Sequence, residues 1–458
     1  MVYLSSELVL EILKYAEPNI APFLRINSQW FFCGISLVWR HVWSGVLHRV
    51  PKNRRQIYTS EIRGFRIYPE ATKYLGELSH LPWPKLEMLY IDFGYDDKPG
   101  QSVALTDNPY LKCYMHRGLT GIHLQGAFDP ELLRLSQVSC PRIQRFSIST
   151  SGTRITPEVF LEYLQESPSL TDISINSEEL VTREILNHLA GRDGLQHLYL
   201  EGIIDIDAIK ALNISSPFKT LQHLTVSATE AALPLLVGVI GSVRSVHLTL
   251  DGPRDPLRDV TFDSVALKHI SNLVELRVLN LFVWGNMRIR NEDMVSLKSL
   301  TQLRRLSISG ACATSLIAPR LQDADFEELF RNLGQLESLN FDVFRSDITT
   351  DSLKSLGRCC PSLQRCEIMG IYDMAAFRYE KAPLFPTLVL LSIGAFTNLE
   401  RMMSSRRPYE HVRQIEKHFP NLQELDCTFR TFPIVQDEFP EKVLRTWWKR
   451  QVARKTKP

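Results

Sequence analysis

Apolar side chains along this chain follow a six-residue pattern in which positions one, four and six are apolar and position five is free to be polar. The pattern starts at Leu86, Leu119, Ile143, Leu170, Leu195, Leu221, Val243, Leu276, Leu303, Leu336, Leu363, Leu388 and Leu422, thirteen times in all. LQHLYL from 195, LQHLTV from 221, LRRLSI from 303 and LESLNF from 336 are its clearest forms, and Ile62, Phe65 and Ile67 supply a degenerate fourteenth. Successive starts lie 22 to 34 residues apart, many of them 24 to 27. A single copy arises in any amphipathic segment, whereas thirteen in near-register define an internal repeat.

Side chains alternate across a strand, so the last four positions of each copy predict a short strand. In LQHLYL, Leu198 and Leu200 point inward, His197 and Tyr199 point outward, and Leu195 enters the core at the bend. Between strands the apolar residues fall at helical spacing, as in VFLEYLQ, in DADFEELFRNL before Leu336 and in TTDSLKSLGRCC before Leu363. Pro157 sits where a first helical turn tolerates a missing N–H. The prolines in CPRI at 140, SPSL at 167, CPSL at 360 and FPNL at 419 end a helix and favour an extended residue before them.

Each unit therefore reads strand, turn, helix, proline stop. No unit buries its apolar face alone, and stacked units share one continuous core. The predicted fold is an α/β solenoid over residues 62–435, with parallel strands on a concave face, helices outside, and insertions at 251–259 and 311–319. The pattern resembles leucine-rich repeats. The cysteine or proline before the leading leucine resembles the subtype common in F-box proteins.

Residues 1–48 break the pattern, and 49–61 read as a linker. Leu4-Ser5-Ser6-Glu7 opens a predicted helix that Ser5 or Ser6 caps, with Leu8, Ile12 and Tyr15 on one stripe. Pro18 and Pro22 interrupt the chain before Phe23, Leu24 and Trp30, and an apolar run over 34–43 closes the block. Ten large apolar residues, from Leu8 to Trp43, present more apolar surface than three short helices hide among themselves. The repeats or a partner must cover the excess.

The block resembles the F-box of fungal proteins. The motif L-S-S-E at 4–7, the pair Ile12-Leu13, the span from Leu24 to Trp30 and L-V-W-R-H-V at 37–42 carry the resemblance, with Ser5 where the family has proline. The resemblance implies docking on the Skp linker subunit, and through it on a cullin, with Leu4, Leu8, Ile12, Leu13, Leu24 and Trp30 as contacts or their immediate support. The chain would then be the substrate-recognition subunit of a Skp–cullin–F-box ubiquitin ligase. It would perform no bond chemistry and would act by raising the effective concentration of a target. Two other readings stay open: a repeat scaffold with no ubiquitin role, whose helical block is only a cap, and a GTPase-regulating repeat protein.

Composition narrows the chemistry. The 458 residues exceed the roughly 250–300 at which one compact core stops growing, which suits a repeat architecture. A net charge of +2 argues against a dedicated nucleic-acid binder. Eight cysteines without CxxC spacing read as reduced thiols of a cytosolic or nuclear protein, and Cys359, Cys360 and Cys366 lack structural zinc spacing. No nucleotide-binding, metalloprotease or nucleophile-elbow motif occurs, so no enzyme activity, cofactor or metal is expected. The N-terminus lacks the basic start of a signal peptide, and the apolar run at 231–243 is too short to span a membrane.

Outward positions are the candidate target contacts. Tyr199, Phe282, Arg305 and Arg365 carry the side-chain types that anchor interfaces. His197 and His223 share one outward position in successive repeats and join that face, with His247 two places along in the next; no carboxylate or cysteine accompanies them in the sequence pattern. Seven lysines and arginines in the last 17 residues, beside Trp447 and Trp448, make 436–458 a basic helix or tail. It reads as solvated, as a nuclear localisation signal or as a contact for an acidic partner.

Overall fold

The structure, a computed structural model, describes residues 4–17, 19–92, 108–150, 155–251, 261–311, 316–344, 346–396 and 416–427. The expected basic segment at 436–458 lies outside them. The chain divides into two compact units, 1–201 and 202–458.

Side-chain caps set the start of the first unit. Ser5 accepts a hydrogen bond from the Leu8 N–H and opens α1 (Ser6–Tyr15), and Asn27 accepts from the Trp30 N–H and opens α2 (Ser28–Val38). Parallel strands follow in chain order: β1 (His41–Trp43), β2 (Gly64–Ile67), β3 (Met88–Asp92), β4 (Gly121–Gln125), β5 (Arg145–Ser149), β6 (Asp172–Asn176) and β7 (His197–Ile204). Each pairs with the next. Strands β3 to β7 begin two residues after their leading apolar residue, as alternation requires. Leu89, Ile91, Leu198 and Leu200 are buried, while His197 and Tyr199 stand out.

Two segments differ from the sequence expectation. Residues 41–43 form a strand hydrogen-bonded to β2, although the sequence reading kept them in the helical block. Residues 49–61, read as a linker, hold the helix Arg55–Thr59. Three residues are too few to display a period, so Val42 in, His41 and Trp43 out could not be told from a helix end. Arg55 is buried here, and its guanidinium donates to the carbonyls of Val50 at 2.9 Å and His48 at 2.7 Å and pairs with Glu77 at 3.2 Å. Those carbonyls close the helix Ser44–Arg49, so a buried cation satisfies a helix end.

In the second unit the main sheet runs through β8 (His223–Thr229), β9 (Ser245–Asp251), β11 (Val278–Trp284), β13 (Arg305–Gly310), β15 (Ser338–Phe341), β16 (Arg365–Tyr372), β17 (Leu390–Phe396) and β18 (Glu424–Cys427), all parallel. A second, three-stranded parallel sheet of β10 (Thr261–Ser264), β12 (Asn286–Ile289) and β14 (Leu316–Ile317) was not expected. It forms around the longer repeats, and Gly285, at φ 93°, turns the chain from β11 into β12. In both units helices of neighbouring repeats pack side by side along the buried side of the strands. The result is an α/β stack with large parallel sheets and helices outside.

Side-chain bonds also tie one repeat to the next. Asp323, opening the helix Asp323–Phe330, accepts hydrogen bonds from the N–H and hydroxyl of both Thr349 and Ser352 at the start of the helix Thr350–Cys359. Partial burial pushes the Asp323 carboxyl upward, but those four hydrogen bonds outweigh it and hold the group below its ordinary value. Asp323→Ala should lower stability by about 1–2 kcal/mol, the low end of a charged hydrogen-bond loss because the group is screened by solvent. A group with a lowered folded pKa stabilises above its unfolded value of about 3.9 and loses that contribution as pH falls through the folded value. The difference in denaturant midpoint between wild type and variant should therefore hold at neutral pH and close in strong acid.

Candidate functional site

The N-terminal helices have two apolar sides with different fates. Val9, Leu13 and Ile20 are buried, and Leu4, Phe23, Leu24, Trp30, Cys33 and Leu37 pack around them. Phe23 stacks on Trp30 with centroids 5.9 Å apart. Gly34 permits this closeness: a Cβ there would lie 2.3 Å from a Leu24 methyl and 3.0 Å from one of Leu13. On the neighbouring face of α1, Leu8, Ile12 and Tyr15 are 54%, 39% and 89% exposed. Of the six residues the sequence nominated for the linker subunit, Leu8 and Ile12 are therefore surface, Leu4, Leu24 and Trp30 half-buried supports, and Leu13 core. Separate residues hold the block against the helix Arg55–Thr59. The Trp39 ring lies 4.2 Å from Tyr58, Phe31 lies edge-on to Tyr58, and the Arg54 guanidinium sits over both Phe31 and Tyr58.

The open face of the first unit's sheet carries a ladder that the sequence reading missed. Register sets Trp43, Arg66, Tyr90 and His123 side by side on β1 to β4. Arg66 lies over the Tyr90 ring at 5.0 Å and the Tyr68 ring at 5.9 Å, and the Tyr90 and His123 rings are 5.9 Å apart. Burial and the Arg66 charge lower the His123 pKa. The signal lay in Trp43, which joins the row only once 41–43 is recognised as a strand. Tyr199 occupies the same row on β7, beyond Ser147 and Ser174.

His197 and His223 are exposed outward positions, as expected. The sequence pattern placed no carboxylate beside these histidines, but the parallel register sets Asp172 against His197, Oδ1 to Nδ1 3.5 Å. His247 lies two places along β9 from the residue paired with His223 and meets the Asn280 amide at 2.9 Å. Among the described residues no three His, Cys, Asp or Glu side chains are grouped to hold a metal.

On the second unit's open face Arg305 and Arg365 are exposed at the first outward position of β13 and β16, with Ser338 between them in register. Phe282 lies further along β11 and lines a pocket of about 570 Å³. Neither arginine lines it. Its polar walls include Asp342, Glu367, Glu424 and Asp426, none of which the sequence reading nominated as a target contact.

Among the described cysteines, several thiols are pushed upward by burial, that of Cys140 to about 12 and those of Cys360 and Cys366 higher. Cys140 and Cys360 cap helix ends just before a proline, where the small thiol fills the core, and Cys360 points at the Leu333 carbonyl at 3.4 Å. Among the described residues no helix is long and apolar enough to cross a membrane.

The fold and its faces define a class: an α/β strand–helix repeat protein whose outward strand positions are open. No protein-family model matches the chain, and no curated protein matches it. Among solved structures the chain is similar to one described as "Crystal structure of Rad7 and Elc1 complex in yeast", at 16% identity and a TM-score of 0.39, covering 86% of this chain and 94% of that chain.

The division of α1 into a core side and a surface side is testable by substitution. Leu13→Ala removes a fully buried side chain and should cost about 2–5 kcal/mol locally. Leu8→Ala should change stability by no more than about 0.5 kcal/mol. Amide exchange of residues 6–15 measures both, and only the first variant should speed it.

Proposed function

We propose that this chain is a non-enzymatic adaptor whose N-terminal helices dock on a Skp-type linker subunit and whose repeats hold a target protein for ubiquitin transfer. The observation that carries the reading is the exposed apolar stripe Leu8, Ile12 and Tyr15, on a helix anchored in the block's core by Val9 and Leu13. Such a stripe costs solubility unless a partner covers it. Its place within the F-box-like residues favours a Skp-type linker as that partner. The same helical block also packs on the helix Arg55–Thr59, through Phe31 and Trp39 against Tyr58, which suits a capping role as well. Capping and docking use different faces, so the two roles are compatible.

In this reading the repeats supply binding and orientation only. Transfer chemistry belongs to the conjugating enzyme, and tethering raises the local concentration of target lysines beside it. The chain acts in the cytosol or the nucleus, where its thiols stay reduced.

Leu8→Asp with Ile12→Asp places two charges on the docking face and none in the core. Co-expressed with the Skp linker subunit, the unaltered chain should elute from size exclusion as a one-to-one complex. The double variant should elute alone with unchanged circular dichroism. A variant that still co-elutes would remove the docking reading and leave the cap.

A further inference from the structure

The row of rings on the first unit's open face holds a guanidinium that no carboxylate closes among the described residues. Cations near it in the chain do have acidic partners. Arg55 pairs with Glu77 at 3.2 Å, Arg63 with Glu87 at 2.9 Å and Lys85 with Glu61 at 2.7 Å. Arg66 is exposed, and its contacts there are the Tyr68 and Tyr90 rings and the Tyr68 hydroxyl, to which Nη1 donates at 3.1 Å. A guanidinium carries five N–H donors, so most of them remain for a ligand. Beyond Tyr68, Trp43 lies edge-on with centroids 6.0 Å apart and is 43% exposed, which ends the row on an open apolar ring.

Glycines keep the ground beside this row low. One pleat earlier, register sets His41, Gly64, Met88 and Gly121 side by side. A Cβ at Gly64 would lie 2.3 Å from His41 Nδ1, and one at Gly121 would lie 2.3 Å from Met88 Sδ. The His41 and Met88 side chains therefore lie over their glycine neighbours and leave a ledge along the rings. Four strands about 4.8 Å apart span roughly 14 Å, the length of about four extended residues. A carboxylate reaching Arg66 from that ledge takes its N–H donors by charge-assisted hydrogen bonds. The rings already hold the guanidinium, so little ordering is needed on binding. A nucleic-acid strand fits less well, because its phosphates call for several cations. Asp92, one pleat beyond Tyr90 on β3, also disfavours a run of negative charges. The face suits one carboxylate beside an apolar ring.

We propose that this row binds a partner-protein segment bearing a carboxylate next to an aromatic side chain, with the carboxylate closing on Arg66 and the aromatic ring lying against Trp43. As the place where a ubiquitination target docks, it rests on the adaptor reading above. The binding itself is measured without the linker subunit, so either proposal can fail alone.

The test is fluorescence anisotropy of the full chain with a labelled glycine–serine peptide carrying one glutamate–tryptophan pair. The same peptide with glutamine for glutamate, or serine for tryptophan, runs beside it. The first peptide should bind and weaken as salt rises, and each altered peptide should bind more weakly. Arg66→Gln should weaken binding at least about tenfold with unchanged circular dichroism. Arg66→Lys, which keeps the charge and loses the planar fork, should fall between it and the unaltered chain. Arg305→Gln, on the second unit, should change nothing. No binding of the first peptide, equal binding of the glutamine peptide, or equal binding by Arg66→Gln would overturn the proposal. So would tighter binding of a labelled oligothymidylate that Arg66→Gln abolishes, because the occupant would then be a nucleic acid.

Discussion

Every strand–helix repeat in this chain has an apolar side that it cannot cover by itself. Thirteen repeats with that property fold only by stacking, and stacking in one direction makes the strands parallel. Once the strands are parallel and in register, every second residue is committed to the buried side and the rest to an open face. Where a given outward residue meets its neighbours is then set by which repeat it belongs to. Trp43, Arg66, Tyr90 and His123 become a ladder for this reason, although they lie more than 20 residues apart in sequence. The same rule collects Glu367 and Asp426 about one pocket.

Much of this was legible because alternation and repeat spacing are properties of the sequence itself. The strands after Leu195, Leu303 and Leu336 begin where the pattern predicts, and the helices at 157–165, 323–330 and 350–359 follow. What escaped was short or long-range. The strand His41–Trp43 has three residues, and its neighbours Trp39 and Arg40 resemble an F-box close, so it was read with the helices. The strands β10, β12 and β14 form a sheet of their own beside insertions whose apolar pattern carries no repeat. The sequence reading singled out neither Arg55 nor Arg192. Each donates to backbone carbonyls at helix ends, a role that depends on which loop folds beside it.

The open faces were predicted in kind and missed in detail. Outward positions could be listed, but their grouping depends on register across several strands. Tyr199 has serines as its nearest row-mates, while the aromatic ladder forms at the other end of the unit's row. Arg305 and Arg365 flank a serine, and the pocket beyond them is acidic. The N-terminal block repeats the lesson on a helix. The stripe of Leu8, Ile12 and Tyr15 was visible from spacing, but its exposure follows from Val9 and Leu13 having taken the core.

The central claim is that the face of α1 bearing Leu8 and Ile12 is an interface waiting for a linker subunit. Hydrogen–deuterium exchange of the full chain, alone and with the Skp linker subunit in excess, addresses it directly. The account predicts added protection confined to residues 4–38, with the strand repeats beyond them unchanged. No added protection in that stretch, or protection confined to the repeats, would contradict it.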